Sequence, residues 1–374
     1  MIKFRKRLKK SKGLKKVKDL VPSGVAEKAA AVAMPKPEEV ISLEDVPQIT
    51  NESIAEHREE VLSGARKYIY PLAHSKHRII IITSIILAAA LIALLSYSVA
   101  GLYKYYQHNA FLYRVTQVIP FPVAKAGGGY VNYENYLFEL RHQIHYYEEQ
   151  QGDEANDFSV NEDREQLLQF RKNALDSVIN LAFVKQLARQ HGVKVSGKEV
   201  EQRIAEVRTQ NRLGNDDDVF ADVLREFWGW SVGDFKRSLT NQILTEKVTA
   251  KLDTEATQKA QAALAELKNG ADFAEVAKRV SGDAASASNG GDYGFLITKN
   301  NPNVPPQVVT ALYGLKPGQV SNIINTGKAL EIVKLEKLEN DVVIARHIVI
   351  PLKDIKTYID QQKAKDPAKI YIKI

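Results

Sequence analysis

The chain has 374 residues, no cysteine and a formal net charge of +7 at pH 7. Without cysteine it cannot form disulfides, use a thiol nucleophile or bind a metal through thiolates. Ten Lys or Arg residues and no acid lie between Met1 and Lys18, and taking them from +7 leaves −3 for the remainder. The excess positive charge therefore belongs to the N-terminal tail, and we expect no nucleic-acid partner for the folded part.

Two interpretations of this basic tail stay open. A polybasic segment beside a membrane gains about 1 kcal/mol per cation from anionic lipid, whereas a solvated tail would only set the orientation of a following span. Residues 19–70 are rich in Ala, Pro, Glu and Ser with little apolar periodicity, which predicts disorder with one short helix near 53–65. We therefore expect residues 1–78 to be a cytoplasmic, largely disordered tail.

Residues 79–101 contain no charged side chain. At 1.5 Å of rise per residue, a helix of this length matches a hydrocarbon core of about 30 Å. The flanking residues are basic before the segment and aromatic after it, namely Lys76, Arg78, Tyr103, Tyr105 and Tyr106. The sequence predicts one transmembrane helix over 79–103, with the N-terminus cytoplasmic and the remainder extracytoplasmic in the cell membrane.

A cleaved signal peptide is the competing explanation of this apolar segment. Ser98-Val99-Ala100 is similar to a small-residue cleavage site. However, a signal peptide has a short charged start and an apolar region of roughly 7 to 15 residues, whereas this apolar stretch comes after residue 78. We favour an uncleaved anchor, and cleavage after Ala100 stays open.

Residues 104–252 have a largely helical pattern. The sequence from Phe121 to Asn132 predicts two short strands around a glycine turn, and apolar residues recur with the helical period between Arg164 and Gln190. Ser196 with Glu199, and Ser231 with Asp234, predict capping boxes at two further helix starts. This region is expected to offer apolar faces and grooves.

Residues 253–374 combine helices and strands. The Ala-rich helix from Thr254 to Asn269 is followed by a shorter helix, the segment NGGDYGFLI, a third helix, a KPGQ turn and two strands. A further strand, VIARHIVI, covers 343–350, and the last residues, 354–363 and 370–374, are expected to add a helix and an edge strand to this domain. The fold class predicted for the folded chain is α+β, with one transmembrane helix, a helical domain and an antiparallel or mixed sheet with helices.

The stretches LKNGADFAEVAKRVSGDAASASNGGDYGF, ALYGLKPGQVSNII, ALEIVKL and ARHIVI resemble the parvulin family of peptidyl-prolyl isomerases, specifically the extracytoplasmic foldases of the SurA and PrsA type. The helical region before them is similar to the N-terminal chaperone domain of those foldases. The resemblance covers about residues 121–350. It implies a helical chaperone domain at 104–252 and a parvulin-like domain at 253–374.

The order of the parvulin motifs departs from the family. A parvulin begins with a strand similar to ASHILV, but here the matching residues 345–350 come last. Either the domain is circularly permuted, with its first strand supplied by 343–350, or the chain enters a second, truncated repeat. We prefer permutation, because a sheet without that strand would leave backbone groups unpaired.

The resemblance also implies the residues of an active site. The family's first-strand histidine corresponds to His347, its Cys or Asp position to Asp283, and its last-strand histidine to Glu331. The pocket residues that hold the proline ring correspond to Val304 and Val308, and we place Tyr313 beside them. Glutamate in place of histidine and valine in place of large apolar side chains leave isomerase activity open.

Two other groups of side chains stand out. His142, His145 and Glu149 share one helical face, but a metal site would need further ligands, so we interpret them as a solvated face and predict no metal and no cofactor. Phe227, Trp228 and Trp230 could line a groove for unfolded protein or pack in a core.

The predicted function is that of a membrane-anchored extracytoplasmic foldase with a peptidyl-prolyl cis-trans isomerase-like domain. Its partners would be unfolded or newly exported polypeptides, proline-containing segments and membrane lipid, the lipid being contacted by 79–103 and the basic tail. The alternatives are a catalytically inactive peptide-binding chaperone and an envelope adaptor with the same fold.

Overall fold

The computed structural model describes residues 49–151, 164–214 and 216–374, without the side chains of 67–76, 151 and 164. The basic tail up to Lys18 lies outside these residues. The chain divides into two units, Met1–Ile86 and Leu87–Ile374. Within the described residues the helices are α1 Asn51–Tyr103, α2 Ala110–Val118, α3 Tyr133–Gln151, α4 Arg164–Gln190, α5 Gly197–Gln210, α6 Asp217–Trp228, α7 Val232–Leu252, α8 Thr254–Lys268, α9 Phe273–Val280, α10 Pro306–Tyr313 and α11 Ile355–Lys365. The strands are β1 Pro122–Ala126, β2 Gly129–Asn132, β3 Ile324–Asn325, β4 Ala329–Glu339, β5 Val342–Pro351 and β6 Lys369–Ile370.

Helix α1 is longer than the sequence predicts. Its N-terminus is closed by Thr50 and Ser53, whose side chains and backbone groups bond to each other. We expected disorder up to residue 70 with only a short helix, but the helix runs without a break from Asn51. Among the described residues, His77–Tyr103 is the one helix long and apolar enough to cross a membrane, by length and composition. Its isoleucine side chains are exposed, as a lipid-facing surface requires.

The helical domain is built around an apolar core that includes residues from the end of α1 and from the C-terminal segment after β6. Leu102, at the end of α1, is fully buried in it, and Tyr133 donates a hydrogen bond to the Leu102 carbonyl at 2.5 Å. Both predicted capping boxes are present, at Ser196 and Ser231. They begin α5 and α7, the two helices that lie next to the second domain.

The C-terminal strand does not lie where we expected it. Strand β1 is the centre of a three-stranded antiparallel sheet with the order β2-β1-β6. Strand β6 was expected at the edge of the 253–374 domain, but Ile370 pairs with Ala124, and Ile372 is buried in the core of the helical domain. Pairing between such short strands depends on tertiary contacts that no local sequence pattern reports.

The second sheet has the order β3-β4-β5, all antiparallel. Residues 291–297 run along the free side of β5, where Ile297 exchanges two backbone hydrogen bonds of 2.9 Å with Val343. Apolar residues of one sheet face pack against α8 and α9, and those of the other face pack against α10. Strand β5, although last in this order, is therefore hydrogen-bonded on both sides, to β4 and to residues 291–297.

Candidate active site

The sheet brings His347 and Glu331 to the same face. Val333 lies directly opposite His347 in the pairing of β4 and β5, and Glu331 lies opposite Val349. Side chains alternate between faces along each strand, so His347 and Glu331 are diagonal neighbours on the face that packs against α10. Both side chains are largely buried, as polar groups seldom are without a specific partner.

The imidazole of His347 lies between two carboxylates. Its Nε2 atom is 3.1 Å from an oxygen of Asp283 and 2.8 Å from the hydroxyl oxygen of Ser286, while its Nδ1 atom is 3.8 Å from an oxygen of Glu331. The Ser286 hydroxyl donates to Asp283, so the same oxygen can accept from Nε2. The separation of 3.8 Å between Nδ1 and Glu331 is too long for a hydrogen bond, and Nδ1 has no hydrogen-bond partner among the described residues. The side chains of His347, Asp283, Ser286 and Glu331 are called the His347 site below.

The backbone around Asp283 is fixed by β5. Gly282 donates to the Val349 carbonyl at 2.6 Å, and the Ser281 hydroxyl accepts from the Val349 amide at 3.1 Å. Gly291 has a φ of +79° and accepts from the His347 amide at 2.7 Å. A Cβ atom at Gly291 would lie 2.2 Å from the His347 carbonyl oxygen. Glycine is therefore required for this close approach.

Asp283 is held as a carboxylate. The hydroxyl of Ser286 is the largest cause that lowers its pKa, and the backbone amide of Ala285 and the charge of His347 act in the same direction. Partial burial opposes these effects without reversing them. A fixed negative charge therefore lies beside Nε2 of His347 at neutral pH.

Tyr293 is a residue of this site that the sequence does not reveal. The ring of Tyr293 stacks on the His347 imidazole, with 3.9 Å between ring centroids and an angle of 29° between the planes. Phe295 packs edge-on against Tyr293 with 5.6 Å between centroids. Burial raises the pKa of Tyr293 far above its usual value, so the phenol stays protonated. Nothing in the segment NGGDYGFLI shows which ring packs on His347.

The predicted substrate-binding residues lie below the same sheet face. Val304 and Val308 are 1% and 0% exposed and belong to the apolar cluster between α10 and the sheet. Tyr313 packs on that cluster and donates from its hydroxyl to the Asp341 carbonyl at 2.6 Å. The two valines lie beneath this face of the sheet. Their role in substrate binding stays a prediction.

A second group of aromatic side chains lies on the helical domain. Tyr146 of α3 stacks on Trp228 of α6 with 5.1 Å between centroids, and Trp228 lies 5.6 Å from Trp230. Gly229 makes this turn possible: its φ is +63° and a Cβ atom there would lie 2.7 Å from the His145 ring. Tyr146, Phe227 and Trp228 are exposed and are called the aromatic surface below.

The two histidines of α3 do not form a solvated face. His142 packs edge-on against Phe138 and Trp230, and burial lowers its pKa to about 4. His145 shares a hydrogen bond of 3.1 Å with the Glu226 carbonyl. The interpretation as a solvated face was wrong for the two histidines, because Trp230 and the end of α6 lie against them, whereas Glu149 is exposed. The helical spacing within α3 cannot show such a long-range partner.

Comparison with known proteins assigns both domains. The family described as the SurA-like N-terminal domain matches residues 73–249, and the family described as the PPIC-type PPIASE domain matches residues 242–337. The second match ends before β5, which begins at Val342. The strand that carries His347 therefore lies beyond the matched segment.

Three curated relatives are similar to parts of the chain. The chaperone SurA of Methylobacillus flagellatus is 36% identical over 112 residues, 28% of this chain and 25% of that protein. The periplasmic chaperone PpiD of Escherichia coli K12 is 38% identical over 89 residues, 24% of this chain and 14% of that protein. The foldase protein PrsA of Geobacillus sp. is 33% identical over 111 residues, 29% of this chain and 36% of that protein.

The matched segments thus span 14% to 36% of the length of these relatives. The resemblance seen in the sequence motifs is confirmed, and the α+β fold class with it. The chain carries a SurA-like N-terminal domain followed by a parvulin domain of the PPIC type.

Proposed function

We propose that this protein is a membrane-anchored extracytoplasmic foldase. Its helical domain would hold unfolded or newly exported polypeptides, and its parvulin domain would isomerise X-Pro bonds within them. The observation that carries the proposal is the His347 site, where β5 brings a buried imidazole to Asp283 and Glu331 in a parvulin domain. Burial of polar groups costs free energy that only pairing offsets, and clusters of this kind are concentrated at functional sites.

The proposed reaction needs no cofactor. Rotation about an X-Pro bond has a barrier near 20 kcal/mol because it breaks amide resonance. A site lowers that barrier if it binds the twisted amide better than either planar form. The imidazole and the flanking carboxylates would position the polar atoms of that amide, and the face above Val304 and Val308, with Tyr313 at its side, would take the ring.

An assay on the full chain in lipid nanodiscs tests this activity. We expect H347Q to lower kcat/KM on X-Pro peptides by at least about tenfold, which is about 1.4 kcal/mol of transition-state binding. H191Q is the matched control, because His191 is an exposed histidine just after α4. Equal rates for the wild type, H347Q and no protein would contradict the enzymatic proposal.

A chaperone without catalysis is the second candidate. Two observations favour it: Val304 and Val308 are covered, so that they present no surface to a proline ring, and the aromatic surface is exposed. Exposed aromatic side chains that are grouped together are typical of sites that bind protein. The aromatic surface would then hold apolar segments of a client chain.

Aggregation of unrelated unfolded proteins measures this holding activity. F227S/W228S should weaken the suppression of aggregation several-fold, whereas V118S, at an exposed valine of α2, should not. Suppression that is unchanged in the double variant would exclude the aromatic surface as the holding site. Binding to one fixed partner, with no effect on unrelated clients, would instead favour an envelope adaptor.

The proposed topology has the N-terminus in the cytoplasm and the folded domains outside. The charge-free segment 79–101 between a basic tail and three tyrosines supports it. Protease added outside spheroplasts should digest the parvulin domain and leave the tail intact. Cofloating of a peptide of residues 1–18 with anionic but not neutral vesicles would support a lipid contact by the tail.

We also propose that the parvulin domain is circularly permuted. The sheet order, with 291–297, β5, β4 and β3 side by side, supports this reading. The first strand of a second, truncated repeat would not be expected to lie between β4 and residues 291–297 of the preceding repeat. A chain in which 341–351 precede Thr254, joined by short Gly-Ser linkers, should retain the thermal stability of the domain, and an unfolded domain would contradict the proposal.

A further inference from the structure

The ring of Tyr293 occupies the space above His347. Its centroid is 3.9 Å from that of the imidazole, and the angle between the two ring planes is 29°. An aromatic ring in this position covers one face of the imidazole as closely as a bound ligand would. The Tyr293 ring also contacts the exposed ring of Phe295 in an edge-to-face arrangement, with 5.6 Å between centroids.

The closed arrangement of Tyr293 carries a cost. Its hydroxyl is buried, and none of the described residues forms a hydrogen bond with it. A buried hydroxyl without a partner loses its hydration and gains nothing in return. Outward rotation of the side chain would return the hydroxyl to water. Ring stacking therefore stabilises the closed position, and desolvation of the hydroxyl destabilises it.

Two neighbouring features indicate where the ring can move. Gly294, directly after Tyr293, has a φ of +71° and no atom within 4 Å of the position of a Cβ. Phe295 and Leu296 are exposed, in contrast to Val304 and Val308. The segment that carries Tyr293 is therefore bordered by free space on its outer side.

We propose that Tyr293 is a gate over the His347 site, closed by stacking on the imidazole and opened when a proline-containing segment displaces the ring onto the exposed surface of Phe295. This inference rests on the proposed isomerase function for its substrate. The gate itself is a property of the rings and can be measured without catalysis. Tyr293 is in this sense a residue that controls access and specificity, and not a group that reacts.

The test compares Y293L, which removes the stacking ring, with Y293F, which keeps the ring and removes the hydroxyl. Y130L is the control, because Tyr130 is an exposed tyrosine of β2. The full chain in nanodiscs is treated with diethyl pyrocarbonate, and the rate of acylation of His347 is measured by mass spectrometry relative to exposed His191. Isomerisation of X-Pro peptides is measured by NMR exchange on the same samples.

We expect Y293L to raise the acylation rate of His347 and kcat/KM each by about tenfold, which corresponds to a gate that is open in about one molecule in ten. Y130L should match the wild type in both measurements. Y293F keeps the ring and loses only the unpartnered hydroxyl, so its gate should be closed at least as much as in the wild type, and any fall in the acylation rate of His347 should be matched by an equal fall in kcat/KM. If Y293L shifts the melting temperature, Y293M, with a flexible apolar chain, replaces it.

Three results would overturn the gate. The first is an acylation rate of His347 that is the same in Y293L and Y130L. The second is a lower kcat/KM in Y293L, which would make the ring a substrate contact. The third is a loss of activity in Y293F without a matching fall in the acylation rate of His347, which would make the hydroxyl a donor to the substrate. If no variant isomerises any peptide, the catalytic proposal fails, and the acylation rates alone decide on the gate.

Discussion

The buried ion pair between Arg203 and Glu246 gives a quantitative prediction for stability. Arg203 of α5 donates two hydrogen bonds, of 3.1 and 2.9 Å, to the carboxylate of Glu246 of α7, and its Nε atom is 3.2 Å from Glu206. With its oxygen turned toward the guanidinium, the amide of Gln307 of α10 accepts from Arg203 at 2.9 Å. Asn325 of β3 donates to the Glu246 carbonyl at 2.9 Å. The network therefore joins the helical domain to the parvulin domain.

Removing only the cation should be costly. R203M leaves two buried carboxylates without their counter-charge, which typically costs about 3 to 5 kcal/mol. K236M removes an ion pair of 2.6 Å with Glu201 in which both side chains are exposed, and such pairs contribute less than about 1 kcal/mol. The contrast between the two variants separates burial from charge pairing as such.

Urea denaturation followed by circular dichroism measures both changes in the free energy of unfolding. The triple variant R203M/E206L/E246L should recover at least half of the loss, because apolar side chains carry no desolvation penalty. The loss in R203M should also shrink as the pH falls from 7 to 5, since burial already raises the pKa of Glu206 and a protonated carboxyl needs no cation. A loss below about 1 kcal/mol in R203M at pH 7 would refute this reasoning.

Three further predictions concern single residues. S286A removes the largest cause of the lowered pKa of Asp283, so a ¹³C NMR titration of that carboxyl should show its pKa rise, and an unchanged pKa would show that the hydroxyl has no such role. G291A should destabilise the protein by more than about 2 kcal/mol in urea denaturation, because its Cβ atom would clash with the His347 carbonyl and its φ is unfavourable for alanine. G294A has only the unfavourable φ and should cost about 1 kcal/mol. Equal losses in the two variants would exclude the clash. Folding stability should fall by on the order of 2 kcal/mol between about pH 6.5 and pH 4, because the unfolded chain protonates His142 more readily than the folded chain does; this part of the pH dependence should vanish in H142F and persist in H191F.

Local signals in the sequence predicted local structure well. The capping boxes at Ser196 and Ser231 were read from pairs of residues three positions apart, and the helix starts they predict are formed by the same side chains. The helix from Thr254 ends at Lys268, one residue before the predicted end. These interactions are complete within one helical turn, so the sequence contains all the information they need.

The candidate site was predicted through motifs and not through periodicity. Three residues that lie far apart in the chain, Asp283, Glu331 and His347, were grouped only by the parvulin resemblance. In the structure, carboxylate oxygens of Asp283 and Glu331 lie 3.1 and 3.8 Å from the two ring nitrogens of His347. Tyr293 was not predicted because its stacking depends on how 291–297 pairs with β5. The helical spacing of His142 and His145 was visible, but the covering helix α6 was not. Long-range packing of this kind has no signature within the segment concerned.

The pairing of β6 with β1 has a consequence for the order in which the domains form during synthesis. Ala124 is synthesised long before its partner Ile370. The helical domain, although made first, therefore cannot complete its sheet until nearly the whole of the parvulin domain has left the ribosome. Until then β1 presents an unpaired edge to its surroundings. The proposed foldase therefore passes through a stage in which, like an unfolded client, it exposes an unpaired strand edge.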